Sequence, residues 1–109
     1  MAEIGGFSGS HDHSNCRAEL AMRVIQGRWK LPILRELLEG TRRFSELLRA
    51  LESVSQKVLT SQLRELESHG VVVRTVHPEV PPRVEYSLTE LGLELLPVLD
   101  GLHAFGEQL

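Results

Sequence analysis

Hydrophobic residues recur at helical spacing in three short segments of this chain. The first, residues 17–25, places Leu20 and Val24 on one face. The second and third, residues 28–39 and 55–69, carry longer stripes: Trp29, Ile33, Leu34, Leu37 and Leu38, then Leu59, Leu63 and Leu66. Because residues three and four apart share one side of a helix, each segment predicts an amphipathic α-helix with its apolar side turned to a core.

Glycine and serine residues mark where these helices end and begin. Gly27 and Gly40 follow the first two helices and are expected to stop them. A further short helix is predicted over residues 45–51, with Ser45 as its N-terminal cap, and Ser55 caps the helix that comes next. The connection between these two helices is short, which predicts a helix-turn-helix.

Two valine-rich segments after the helix-turn-helix predict the strands of a hairpin. They cover residues 71–77 and 84–87, and the connection between them, residues 78–83, contains three prolines and ends in Arg83. Proline fixes φ and removes an N–H donor, so the hairpin tip is expected to be stiff as well as basic. A further strand signal, residues 42–44, precedes the helix-turn-helix.

The order of these elements predicts a mainly α fold with a small β-hairpin, an α+β domain over residues 16–109. Residues 1–15 are rich in glycine, serine and histidine and have little to bury, so we expect a flexible arm there. Two short helices followed by a hairpin form a winged helix-turn-helix, which places one helix in the major groove of DNA. Double-stranded operator DNA is therefore the first partner to consider.

The polar residues near the helix of residues 55–69 support that partner. Its leucines face the core, so the residues between them point outward; these are Gln56, Lys57, Thr60, Ser61 and Arg64. Such side chains can hydrogen-bond base edges or phosphates. Ser55 leaves the first N–H groups of the helix free to face a phosphate. We expect Arg42 and Arg43 to contact the DNA backbone before the helix-turn-helix. Arg83 would do so from the wing.

The charge distribution agrees with one surface that faces DNA. The chain carries a formal net charge of −3. Residues 23–83, however, hold eleven Lys or Arg against seven Asp or Glu, whereas residues 84–109 hold five acids and no Lys or Arg. Phosphate affinity depends on the local field rather than on net charge, so an acidic chain can still present one basic surface.

The C-terminal region is more apolar than a small domain needs. A helical region capped by Ser87 or Thr89 and divided by Pro97 carries Leu91, Leu95, Leu96, Val98, Leu99, Leu102 and Phe105. One stripe is enough to cover a core, so the surplus predicts an interface between two copies of the chain. We expect a homodimer through the first and last helices, with Leu20, Val24, Leu95, Leu99, Leu102 and Phe105 in the interface.

Several other classes of protein are not expected. No apolar run approaches membrane-spanning length and nothing resembles a signal peptide, so we expect a cytoplasmic protein without a membrane partner. A single cysteine fits a reducing compartment. There is no arrangement of histidine, carboxylate and nucleophile and no glycine loop that would cradle a phosphate, so neither an enzyme nor a bound cofactor is expected.

Four runs of residues resemble one known family. They are Trp29-Lys30-Leu31-Pro32-Ile33-Leu34-Arg35-Glu36-Leu37, Arg43-Phe44-Ser45-Glu46-Leu47, Leu59-Thr60-Ser61-Gln62-Leu63-Arg64-Glu65-Leu66-Glu67 and Pro82-Arg83-Val84-Glu85-Tyr86-Ser87-Leu88-Thr89. In order and spacing they are similar to the HxlR-type family of bacterial transcriptional regulators. The resemblance covers the chain from about Cys16 onward. It implies a dimeric winged-helix protein that binds operator DNA, and some members respond to oxidants or electrophiles through an N-terminal cysteine.

Two positions depart from that family's pattern, and both lie outside the DNA-facing segment. The family usually has a glycine pair before the tryptophan, where this chain has Gln26 and Gly27. It often has proline after the cysteine, where this chain has Arg17.

Cys16 has two interpretations. It stands at the predicted start of the first helix beside Arg17, a position that favours the reactive thiolate and would suit an oxidant sensor. It can equally be an ordinary half-buried cysteine. His11 and His13 form a further metal-capable group with Cys16, which leaves a metal-responsive regulator as an alternative. Winged helices also serve as protein-interaction modules, and that class stays open as well.

Overall fold

A computed structural model describes residues 16–109, and within them the chain forms six helices and a three-stranded antiparallel sheet. The helices are α1 Arg17–Ile25, α2 Lys30–Leu38, α3 Phe44–Ala50, α4 Gln56–Ser68, α5 Glu90–Leu93 and α6 Leu96–Gly106. The strands are β1 Arg42–Arg43, β2 Val72–His77 and β3 Arg83–Leu88. The predicted mainly α, α+β class is confirmed. The arm predicted over residues 1–15 lies outside the described residues.

The starts of α3 and α4 are fixed by different residues, one as predicted and one not. Ser55 caps α4 as expected, because its Oγ accepts a hydrogen bond from the Val58 N–H at 3.1 Å. The prediction that Ser45 caps α3 is wrong. This helix begins one residue earlier, with Arg43 at the cap position, and Glu46 Oε1 accepts from the Arg43 N–H at 2.8 Å. Ser45 thus lies inside the first turn, and Glu46, the third residue of the helix, bonds back to the N–H of the cap residue.

The sheet is larger than the predicted hairpin. Its order is β1-β3-β2, so β3 is the central strand. β2 pairs with β3 from Val72 opposite Leu88 to His77 opposite Arg83. On the other edge of β3, Arg42 lies opposite Tyr86. This second pairing fastens the residues before α3 to the wing, so the helix-turn-helix and the hairpin are held together by backbone hydrogen bonds.

One hydrophobic core joins the helix-turn-helix to α2 and the sheet. Its most deeply buried side chains are Ile33, Leu34, Leu47, Leu59, Leu63 and Leu66, from α2, α3 and α4. Tyr86 contributes to the core from the sheet, and Val54 contributes to it from the turn between α3 and α4. Trp29, expected as a core anchor, is half-buried and packs against the edge of this cluster.

The C-terminal helices are attached at their start and divided by proline. Thr89, rather than Ser87, caps α5, since its Oγ1 accepts from the Gly92 N–H at 3.0 Å. The same hydroxyl donates to the Gly70 carbonyl at 2.5 Å, which ties α5 to the end of α4. Pro97 lies in the first turn of α6 and separates it from α5, as predicted. No helix within residues 16–109 is long and apolar enough to cross a membrane.

Candidate nucleic-acid interface

The second helix of the helix-turn-helix, α4, has two sharply different faces. Leu59, Leu63 and Leu66 repeat at i, i+4 and i+7 and are fully buried. On the opposite face Gln56, Lys57, Ser61 and Arg64 are exposed, and Thr60 is half-buried. The buried leucines hold the helix to the core, so the polar face has a fixed direction rather than being free to rotate.

That polar face forms one wall of an open groove of about 880 Å³. The groove is lined by Phe44, Gln56, Lys57, Thr60, Ser61, Arg64, Glu65 and Ser68. All five residues predicted to point outward from α4 are therefore brought together on it. Hydroxyl, amide, ammonium and guanidinium groups on one helix face match the donors and acceptors of base edges and phosphates in a major groove.

The same surface continues onto the wing through Phe44. A cleft between α4 and the hairpin is lined by Phe44, Thr60, Arg64, Glu67, Arg74, Val84 and Tyr86. A third cleft, between the start of α3 and the wing tip, again contains Phe44. Its ring packs against Tyr86 with centroids 6.5 Å apart. Phe44 thus joins the helix and the wing, a role that the sequence did not indicate beyond its being the aromatic residue of this segment.

The two arginines before α3 occupy different surroundings. Arg42 is 3.8 Å from Glu36 through Nε and 3.8 Å from Glu39 through Nη2, so its charge is turned toward α2. Arg43, the next residue on the strand, is exposed and lines the cleft near the wing tip. Successive residues of a strand point to opposite sides, which accounts for the difference. Of the pair, Arg43 is the one placed on the groove side.

The wing is less basic at its tip than the sequence suggested. Arg83 Nη2 lies 3.1 Å from Glu79, and its Nε lies 3.9 Å from Glu85. The Nε is buried and makes no hydrogen bond within the described residues. Glu85 also contacts His77, with 2.7 Å between Oε1 and Nε2. Arg83 is thus paired with acids of the wing itself, which lowers the net positive charge at the tip. That Arg83 contacts DNA stays a prediction. Cations around the groove come instead from Arg43, Lys57, Arg64 and Arg74.

A buried lysine supports α4 from behind, and sequence reasoning assigned it no role. Lys30, the first residue of α2, is only 4% exposed. Its Nζ donates to Gln62 Oε1 at 2.9 Å and to Glu65 Oε1 at 2.9 Å. A lysine that follows the tryptophan of an amphipathic helix carries no sequence signal that distinguishes it from a solvated charge.

Cys16 lies at the N-terminal cap of α1 and is a half-buried free thiol. Its carbonyl accepts from the backbone N–H groups of Glu19 and Leu20 at 3.1 and 3.2 Å, which starts the helix. The proposed metal partners His11 and His13 lie outside the described residues. Within residues 16–109 no group of three potential metal ligands is found.

The residues predicted for a dimer interface divide into two groups. Val24, Leu95 and Leu99 are half-buried and pack against the core of their own chain. Leu20, Leu102 and Phe105 are exposed, Phe105 to 65%. Helix α6 has no buried residue along its length. A groove of about 630 Å³ between α2 and α6 adds Leu31, Leu38 and Leu102 to the apolar surface in this region.

The fold and this surface together define a class of protein. A helix-turn-helix whose second helix presents a polar outer face, followed by a two-stranded wing, is the winged helix-turn-helix of DNA-binding transcription regulators.

The profile of the HxlR-like helix-turn-helix family matches residues 24–109 of this chain. The chain is 47% identical over 105 residues to an HTH-type transcriptional regulator of Methanothermobacter thermautotrophicus, covering 94% of this chain and 80% of that protein. It is 43% identical over 106 residues to the HTH-type transcriptional regulator YdeP of Bacillus subtilis, covering 97% and 83%. The chain therefore belongs to the HxlR-like helix-turn-helix family.

Solved structures of other regulators have the same fold. The redox regulator HypR in its reduced form superposes with a TM-score of 0.80 at 44% identity, covering 84% of this chain and 90% of that one. The reduced transcriptional regulator YodB from B. subtilis superposes with a TM-score of 0.77 at 38% identity, covering 83% and 88%.

Proposed function

We propose that the protein is a homodimeric transcriptional regulator that binds a pseudo-palindromic operator through α4. The observation that carries this proposal is the groove in which Gln56, Lys57, Thr60, Ser61 and Arg64 meet. In the proposed complex α4 lies in the major groove, its amide and guanidinium groups bond to base edges, and its hydroxyls and Lys57 bond to phosphates. Arg43 and the wing contact the flanking backbone.

Two such helices are needed to recognise a pseudo-palindrome. In a two-fold dimer the helices meet successive major grooves, which lie roughly 34 Å apart on one side of the duplex. The exposed apolar side chains of α1 and α6 provide a surface for that dimer, because water would otherwise cover Leu20, Leu102 and Phe105. The half-buried Leu99 would form the base of this interface while it packs in its own chain.

Salt-dependent DNA binding tests this function against that of a protein-interaction module. Binding to the native promoter region and to a scrambled duplex is measured by fluorescence anisotropy at several salt concentrations. We expect tighter binding to the promoter and a linear fall of log K with log salt, because each neutralised phosphate releases counterions. A folded protein that binds neither duplex at low salt would contradict the proposal and would favour the alternative, a protein-interaction module.

Cys16 is the proposed site of oxidant sensing. HypR is a redox regulator, and a structure of YodB has been solved after treatment with the thiol oxidant diamide. These two relatives motivate the same proposal for this chain. A peroxide would convert the Cys16 thiolate to a sulfenic acid with release of water or hydroxide. Alternatively, two thiols would lose two electrons and two protons to diamide and form a disulfide. Cys16 is the only cysteine of the sequence, so that bond would join two chains or join one chain to a small thiol.

The position of Cys16 suggests how oxidation would reach the DNA. The residue begins α1, which also carries the exposed Leu20 of the proposed interface. Added bulk or a covalent bond there would change how two copies pack, and hence the separation of their α4 helices.

Replacement of the thiol tests this proposal. We expect Cys16→Ser to bind the operator with near-normal affinity and to keep it after diamide or peroxide, whereas the wild-type protein releases it. Non-reducing electrophoresis and intact mass then identify the disulfide or adduct. If the wild-type protein and Cys16→Ser release the operator equally after oxidation, Cys16 is not the oxidant-sensing residue.

A metal-responsive regulator is the remaining alternative. It would bind zinc or nickel stoichiometrically and lose that binding when residues 1–15 are deleted. We favour the redox function, because its residue, Cys16, is placed at the start of α1, whereas His11 and His13 lie outside the described residues.

A further inference from the structure

Lys30 is the one charged residue that is buried within residues 16–109. Its ammonium group connects the start of α2 to two residues of α4, Gln62 and Glu65, each at 2.9 Å. Burying an ammonium group is strongly unfavourable unless the group is paired and hydrogen-bonded. Loss of these contacts with α4 would therefore leave a buried charge without a partner, which is unfavourable.

The two contacts restrain how α4 is turned about its own axis. Leucine side chains hold a helix to a core through non-directional contacts, whereas hydrogen bonds weaken steeply when their geometry is lost. Gln62 and Glu65 are three residues apart, so they lie on adjacent turns along the same edge of the helix. The buried leucines decide which face of α4 is outward. The two hydrogen bonds to Lys30 further restrain the rotation of the helix within that arrangement, and with it the angle at which Arg64 and Ser61 leave the surface.

Lys30 also acts on the charge of the groove. Glu65 lines the groove beside Arg64, and its side chain is 52% exposed. An unpaired carboxylate at that place would repel the phosphates that the same surface is proposed to bind. The ammonium group 2.9 Å away compensates it from inside the protein.

We propose that Lys30 is a positioning residue for operator recognition: it holds the DNA-facing helix in the orientation that aligns its outer side chains with the bases, and it neutralises Glu65 at the edge of the groove. This inference rests on the proposed DNA-binding function. It separates into two effects. The orientation effect concerns preference for the operator over other DNA. The charge effect concerns affinity for any DNA.

Three variants separate the two effects. Lys30→Met removes the ammonium but keeps an unbranched apolar chain, Lys30→Met with Glu65→Gln also removes the carboxylate, and Arg49→Met is the matched control. Arg49 is an exposed residue in the last turn of α3 that lines neither the groove at α4 nor the groove between α2 and α6, so its variant reproduces the change in net charge alone. Affinities for the operator and for a scrambled duplex are measured at a temperature where circular dichroism shows every variant folded.

We expect Lys30→Met to reduce the ratio of operator to scrambled affinity about tenfold, comparable to the loss of one base contact. Its affinity for scrambled DNA should also fall below that of Arg49→Met. The double variant should regain the scrambled-DNA affinity, because the uncompensated carboxylate is gone, but not the ratio, because the contacts to α4 remain lost. Arg49→Met should keep the wild-type ratio.

Unchanged ratios in a folded Lys30→Met would overturn the inference. If that variant does not fold, Gln62→Leu replaces it, because it removes one of the two contacts and leaves the Lys30–Glu65 pair. It should lower the ratio about threefold by the same mechanism, and a wild-type ratio would reject the inference. A wild-type protein that shows no preference for the operator would instead reject the proposed function itself.

Discussion

Helices α4 and α6 are similar in length but bury their apolar residues in opposite ways. In α4 three leucines are fully buried, while the outer face is polar and lines the groove. In α6 no residue is buried, although Leu96, Val98, Leu102 and Phe105 are all apolar. The less hydrophobic helix is therefore the one anchored in its own chain.

The difference fits the proposed function, in which α4 binds DNA and α6 binds a second copy of the chain. The apolar side of α4 is satisfied within the chain, so its polar side is the one left to bind another molecule. The apolar surface of α6 has no equivalent cover among residues 16–109, which is typical of a surface that forms an interface between protein chains. The proposed homodimer would use both surfaces, because base recognition and the spacing of the two α4 helices are separate tasks.

The first prediction tests this comparison through the stability cost of removing one leucine from each helix. Leu63→Ala should lower the free energy of unfolding by roughly 2–5 kcal/mol, because it leaves a cavity in the core beneath α4. Leu102→Ala, the same substitution on the exposed side of α6, should cost well under that amount in a monomeric reference state. Urea unfolding at several protein concentrations measures both. Similar losses for the two variants at low concentration would contradict the comparison.

The second prediction concerns the interface proposed for α6. Leu102→Glu should weaken dimerisation by roughly 100-fold or more, since burying a carboxylate opposite the partner costs more than losing one leucine contact. Leu102 is a better position for this test than Leu99, because Leu99 also packs against the core of its own chain and its replacement would disturb the fold. Sedimentation velocity across a micromolar range measures the effect, with Glu94→Gln as an exposed control. A wild-type protein that sediments as a monomer at these concentrations would refute the interface.

Apolar spacing and helix-start signals together predicted the first four helices to within two residues at each end. Both kinds of signal depend on neighbouring residues, and they also predicted the cap at Ser55. The predicted cap of α3 was wrong because the helix begins at Phe44, which places Ser45 inside its first turn, while Glu46 accepts from the N–H of Arg43. The helix starts directly after the two residues that pair with β3, and sequence spacing does not contain that pairing.

The outward-facing residues of α4 could be predicted from the sequence, because the spacing of its buried leucines determines which face of the helix is turned outward. The surroundings of Arg42 and Arg83 could not. Each meets acids brought close by tertiary structure or by the turn of the wing, Glu36 and Glu39 in one case and Glu79 and Glu85 in the other. Burial of Lys30 was also hidden, since its partners lie more than thirty residues away in sequence.

The most direct test of the central claim is operator binding by variants of the outer face of α4. Arg64→Ala and Gln56→Ala should each weaken operator binding by roughly 1–3 kcal/mol, because each removes a base or phosphate contact. They should also relax discrimination at the base pairs they meet, measured with singly substituted operators. Arg49→Ala, at the exposed end of α3, should change neither quantity beyond its effect on charge. If both α4 variants stay folded and dimeric and bind the operator as the wild-type protein does, this face does not recognise DNA.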